Sequence, residues 1–269
     1  MAGMSGLTSS PVLPRMTFKN ESMTLTRDGI TFVITSCGRP ELLARTIDSF
    51  VAHNTYPIAR YILIEDSGDR DMLDFIERRF GDLFDTVLFN EPRLGQIRSV
   101  DRAYAQVDTP YIFHCEDDYE FFRSGFMEDS LSVLKHDPGA ITVWLRNLWE
   151  GNRHKFEERI RYTDDNVMYR RVLPKTSRNH TWYGFTFNPS LRRLADYERI
   201  KPFNDVGHEL EINYAYHELG FYGVTLEEGA ARDVGRGHHV PDVGESFIQR
   251  IRAELRRRRR ARRERRAHR

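Results

Sequence analysis

Cysteine is nearly absent: the chain of 269 residues has two, Cys37 and Cys115. Two cannot build a disulfide framework, and with no Cys-x-x-Cys pair a zinc ribbon is excluded. No apolar run approaches the roughly 20 residues of a membrane span. The first residues lack the charged-then-apolar pattern of a secretory leader, so a reduced, cytoplasmic protein is expected. No internal repeat period shows, which sets aside solenoids and propellers. Net charge is nearly absent too, at +1, but this conceals an asymmetry. Residues 250–269 hold twelve arginines and two glutamates, a net of +10, and the remainder stands at −9. An acidic body with a polybasic end calls for two different kinds of partner.

What is present is a chain that is 39% hydrophobic, enough to bury one large core. Four short apolar runs, at 30–36, 61–64, 86–89 and 111–113, read as buried strands. Amphipathic stretches alternate with them. Pro40 suits the first turn of a helix, and Leu42, Leu43, Thr46, Ile47 and Phe50 then recur at helical spacing. Met72, Phe75, Ile76 and Phe80 mark a second helix, and Ile97, Val100, Tyr104 and Val107 a third, opened by Gly95. Strand–helix alternation predicts an α/β fold with a mostly parallel sheet flanked by helices. In such sheets ligands bind at the carboxyl ends of the strands, here Ser36–Arg39, Glu65–Gly68 and Glu116–Asp118.

The last of these ends is the most informative. Glu116-Asp117-Asp118 places three carboxylates at the end of a buried strand, where they repel one another and lose hydration. Alternate residues of an extended chain point the same way, so Glu116 and Asp118 offer two oxygen ligands to one cation. A solvated acidic turn is the alternative.

Beyond residue 126 the pattern loosens. A helix through Phe126, Leu131 and Leu134 leads to a strand at 140–145. Residues 147–180 are polar and basic, with Arg153, Lys155, Arg159, Arg161, Arg170, Arg171, Lys175 and Arg178, and read as loops and a hairpin. The aromatic run Trp182-Tyr183-Gly184-Phe185-Thr186-Phe187 is either core or a platform for a ligand. Ser246 caps a last stripe of Phe247, Ile248, Ile251 and Leu255, read as a helix running out into the arginines.

Thr35-Ser36-Cys37-Gly38-Arg39-Pro40, Ile64-Glu65-Asp66-Ser67-Gly68, Gly95-Gln96 through Asp101, and Glu116-Asp117-Asp118 follow one another in an order and spacing that resembles GT-A fold glycosyltransferases, close to family 2. The departures are Glu116 where Asp is commoner and Asp101 where many members have Asn. The resemblance implies a Rossmann-like GT-A fold and transfer of a hexose from a nucleoside diphosphate, UDP above others, with inversion. It divides the chain into an arm at 1–27, a nucleotide-sugar half at 28–125, an acceptor and catalytic half at 126–245, and a basic tail at 246–269.

The same resemblance implies roles. Thr35, Arg39, Asp66 and Asp117 lie where the family holds the nucleotide sugar. Arg98 stands ready to neutralise diphosphate, unless it makes an exposed helical ion pair. Gly207-His208-Glu209-Leu210-Glu211 resembles the segment carrying the catalytic base, which falls on Glu209, with Glu211 next to it; an acidic first helical turn is the alternative. His238 and His239 are similar to a histidine that completes the metal site in many members, or are loop histidines. With Glu116 and Asp118 they imply Mn²⁺ or Mg²⁺, imidazole tilting the preference to Mn²⁺. Trp182, Tyr183, Arg171 and Arg178 are the acceptor-binding candidates. The tail suits a polyanionic acceptor. Hydroxymethylated bases in DNA, glucosylated by some bacteriophage and kinetoplastid GT-A enzymes, stand narrowly ahead of an envelope or lipid-linked glycan met at an anionic membrane. A non-catalytic binding module on the same fold is the third reading.

Overall fold

The computed structural model describes residues 28–148, 154–177 and 180–236, with Val240 and Val243. The arm at 1–27, Arg153, Arg178, His238, His239 and the basic tail lie outside the described residues. In chain order the elements are β1 (Ile30–Ser36), α1 (Pro40–His53), β2 (Arg60–Glu65), α2 (Arg70–Phe80), β3 (Thr86–Phe89), α3 (Gln96–Tyr104), β4 (Tyr111–Glu116), β5 (Tyr119–Phe121), α4 (Phe126–His136) and β6 (Ala140–Trp144). They continue as β7 (Arg161–Tyr162), β8 (Met168–Arg171), β9 (Lys175–Ser177), β10 (His180–Trp182), β11 (Ser190–Arg193), α5 (Leu194–Glu198), α6 (Phe203–Val206), α7 (Glu209–Glu218), β12 (Tyr222–Leu226) and β13 (Ala231–Asp233).

A nine-stranded sheet runs β3-β2-β1-β4-β11-β6-β12-β8-β7. The first four strands are parallel, as their apolar runs predict, and β12 is parallel to β6. β11 enters antiparallel to both β4 and β6, so the sheet is mixed, a GT-A-like α/β fold. The two faces bury separate cores, because alternate residues of each strand point to opposite sides. Ile30, Phe32 and Ile34 of β1 meet Leu43, Ile47 and Phe50 of α1 on one face; Val33 meets Ile97, Val100 and Tyr104 of α3 on the other. β4 follows the same rule, which puts Ile112 on the α3 side with His114 and Glu116 two and four residues on.

Register then aligns the functional ends. Thr35 pairs with Glu116, and Ser36 with Glu65, so three strands stop at one level. Past that level β5 pairs with β13, which brings the chain back beside the acidic turn. No helix among the described residues is long and apolar enough to cross a membrane.

Candidate active site

β4 ends at Glu116, and its three carboxylates separate according to what each can reach. Asp117, 1% exposed, turns back to β1. It accepts hydrogen bonds from the Ser36 hydroxyl at 3.1 Å, the Cys37 N–H at 3.3 Å and Arg39 Nε at 3.2 Å, and its second oxygen meets Arg39 Nη2. Burial still outweighs these partners and lifts its carboxyl to about 6. Asp118 receives Arg39 Nη1 at 2.9 Å. Glu116 accepts from Gln96 Nε2 at 2.8 Å, and burial, then Asp118 and Glu209, push it well above the usual carboxylate range. Glu116 and Asp118 therefore sit within electrostatic reach of each other while the middle acid braces the turn.

The neighbouring strand ends are braced in the same way. Asp66 takes the N–H groups of Leu94 at 2.7 Å and Gly95 at 2.9 Å, with Asn90 Nδ2 at 2.8 Å. Gly95 has a φ of 91°, so only glycine turns there without strain, and α3 starts from it. Asp66 thereby aims α3, and with it Gln96, at Glu116. Thr35 is half-buried at the strand end beside Glu116. Arg98 is exposed and donates to Asn204 at 2.9 Å. Asp101 accepts from the Tyr197 hydroxyl and from the N–H groups of Phe203 and Asn204, each at 2.8 Å, fastening α3 to α6.

The other side of the site is the start of α7. Its two candidate acids divide there. Glu211 is exposed and accepts the His208 N–H at 3.0 Å, capping the helix. Glu209 faces a pocket of about 410 Å³. Burial raises its carboxyl to about 7, while the Phe187 N–H, Arg192 and the Thr186 hydroxyl pull it back. Arg192 is a buried guanidinium that donates to the Thr186 carbonyl at 3.0 Å and Ser190 Oγ at 2.6 Å, with Phe185 and Phe187 beneath it.

The aromatic run splits in the structure. Phe185 and Phe187 are core, whereas Trp182 lines the pocket. Tyr183 stacks on His217, ring centroids 3.5 Å apart, outside the residues that line it. Arg171 lies over the Tyr222 ring at 3.5 Å and likewise is no part of the pocket. Arg146, His154, Lys175, His180 and Asp233 do line it. Sequence reasoning had no role for them, although Lys175 stands in the basic stretch it singled out. Arg192 was missed altogether, because an arginine in a short polar strand gives no sign of burial.

Among the described residues no three His, Cys, Asp or Glu side chains gather as a metal cluster. The pair Glu116 and Asp118 nonetheless fits a hard divalent cation. Both are oxygen ligands, and the mutual repulsion that lifts Glu116 is what a cation relieves. Gly235 passes so close to this pair that a Cβ there would stand 2.2 Å from Asp118 Oδ2.

The sequence profile of glycosyl transferase family 2 matches residues 31–199. Among solved structures, S. aureus TarS 1-349 in complex with UDP-GlcNAc is similar, with 10% identity over 79% of this chain and 62% of that one and a TM-score of 0.52. GalNAc-T7 with UDP, GalNAc and Mn²⁺ shows 14% identity over 74% and 42%, TM-score 0.52. The mannosyltransferase PcManGT from Pyrobaculum calidifontis, in complex with GDP-Man and Mn²⁺, shows 12% over 79% and 59%, TM-score 0.50. At such identities the likeness is one of fold, and the chain spans less than two thirds of each of these proteins' length. No curated protein gives a significant sequence match.

Proposed function

The chain belongs to glycosyl transferase family 2, and on that premise we propose that it moves a sugar from a nucleoside diphosphate to an acceptor hydroxyl with inversion. The observation that carries the reading is that Glu116, at the end of β4, lies within electrostatic reach both of Asp118, two residues on, and of Glu209, at the start of α7. Glu209 is the general base: ionised, it takes the hydroxyl proton as the acceptor oxygen bonds to the anomeric carbon. The bond from that carbon to the diphosphate breaks on the opposite side, and its electrons leave with the diphosphate. Mn²⁺ or Mg²⁺ held by Glu116 and Asp118, with His238 or His239 as a further ligand, would supply Lewis-acid neutralisation of that leaving group. Arg39 keeps Asp117 and Asp118 in place, Asp66 positions α3 through Gly95, and Thr35 borders the nucleotide.

A UDP-sugar is the donor we favour, UDP being present in two of the three similar structures above. For the acceptor we favour a hydroxymethylated base in DNA, and the net +10 of residues 250–269 supports a polyanion. The test is a screen of UDP- and GDP-sugars with Mn²⁺ against hydroxymethylated DNA, plain DNA and lipid-linked glycans, with mass spectrometry of the products. Sugar on the modified base alone is the expected result. Transfer to a lipid-linked glycan overturns the acceptor, and nucleotide-sugar binding without any turnover overturns the enzyme. A salt titration separates the tail's role: removal of residues 256–269 should flatten a slope of log K against log salt near −4 to −5, for about five phosphates engaged.

A further inference from the structure

The pocket that Glu209 faces has a second set of lining residues whose chemistry proton transfer leaves unused. β9 and β10 form a ribbon in which Lys175 pairs with Trp182 and Ser177 with His180, separated by the pair Thr176 and Thr181. Side chains alternate across a ribbon, and it is the Lys175, Ser177, His180 and Trp182 set that lines the pocket. Arg146, just beyond β6, and His154 line it as well. Trp182 Nε1 and His154 Nδ1 are both buried without a hydrogen-bond partner among the described residues. An indole N–H only donates, so it calls for an acceptor atom that the described residues do not provide. Burial, then Lys175 and Arg146, hold His154 down to about 4, so two cations lie within electrostatic reach of a neutral ring. Asp233 stands 3.9 Å from Arg146, and Glu209 repels an anion from its own side.

We infer that this hairpin wall is a phosphate-recognising acceptor subsite, in which Lys175 and Arg146 supply charge and Trp182 and His154 supply hydrogen bonds to a phosphate borne by the acceptor. The inference rests on the transferase reading, because it places the phosphate on the hairpin side while the acceptor hydroxyl faces Glu209. The phosphate belongs either to a terminal monoester or to a diester within a polymer; the charge and the N–H groups serve both.

The test uses the full chain saturated with UDP and Mn²⁺, so that the donor's phosphate site is filled. Glycerol 3-phosphate, a bis-glyceryl phosphodiester and glycerol are titrated in by calorimetry. At least one phosphate probe should bind saturably and glycerol should not; a preference for the monoester or the diester tells the two sources apart. Lys175→Glu should weaken the preferred probe at least tenfold with UDP affinity unchanged, Lys175→Arg should retain it, and Trp182→Phe should weaken it several-fold. The proposal is overturned if neither phosphate probe saturates, or if Lys175→Glu and Trp182→Phe both bind as the parent does. UDP titrated alone with Mn²⁺ reads the donor site separately. Its failure to bind sinks the transferase reading while the effect of Lys175→Glu on phosphate can still be measured.

Discussion

Asp117 and Lys175 belong to two regions that are held in different ways. At the ends of β1, β2 and β4 two buried aspartates have internal partners on both oxygens, Asp117 with Ser36, Cys37 and Arg39, and Asp66 with Asn90, Leu94 and Gly95, while Glu65 Oε2 is buried with none among the described residues. On the hairpin side, Trp182 and His154 bury polar atoms with none among the described residues. Asp66 and Asp117 thus fix the backbone of the strand-end crevice, and fixed geometry is what charge stabilisation requires. The hairpin wall is left with hydrogen bonds to make, as a surface that selects a partner requires.

The contrast predicts where a substitution harms chemistry and where it harms the fold. Glu209→Gln keeps shape and removes the proposed base, so turnover should fall by about 10² to 10⁴ with donor affinity unchanged, read by steady-state kinetics beside calorimetry. Near-normal turnover would dissolve the assignment of α7 to chemistry. Arg39→Met should cost about 3 kcal/mol in denaturant unfolding, since it strands Asp117, a carboxylate 1% exposed, without its cation. Lys175→Ala, on the hairpin, should cost well under about 1 kcal/mol. Equal losses in the two variants would erase the distinction between the regions.

A smaller effect is read from pH. Burial raises Glu209 to about 7, so the carboxyl holds its proton to a higher pH than an exposed one. A base works only when ionised. Turnover should therefore climb about tenfold per unit below pH 7 and level off above it. A profile already flat at pH 5 would place the proton elsewhere. A modest effect belongs to Glu211→Ala, which removes the cap at His208; about 1 kcal/mol of stability should be lost, with the slope of the pH profile unchanged.

The strand-end region was also the more legible in the sequence. β1 to β4 are continuous apolar runs because parallel strands are buried on both faces, and their ends announce themselves as Arg39, Glu65, Asp66 and Glu116 to Asp118. The separate tasks of the three acids were not legible, since they depend on what β1 and α3 bring near. β11 was invisible, because Ser190-Leu191-Arg192-Arg193 reads as a polar turn; Arg192 is buried over Phe185 and Phe187, residues not adjacent to it in sequence. The basic stretch misled in part. Arg161 and Arg170 pair with Glu157 and Glu227, and Arg171 covers Tyr222, which leaves Lys175 as the described member of that stretch that lines the pocket.

The clamp made by Asp101 has a mechanical consequence. One carboxylate ties α3, which carries Gln96 toward Glu116, to Phe203 and Asn204, which begin α6 and lead into α7. Gln96 beside Glu116 and the segment leading to Glu209, the proposed base, are thereby mounted on a single frame. The two-stranded ribbon is tied to the same frame, since the Thr181 N–H donates to the Tyr214 hydroxyl at 2.8 Å and Asn213 Nδ2 donates to the Thr181 carbonyl at 3.3 Å, so β10 and α7 are held as one wall of the pocket.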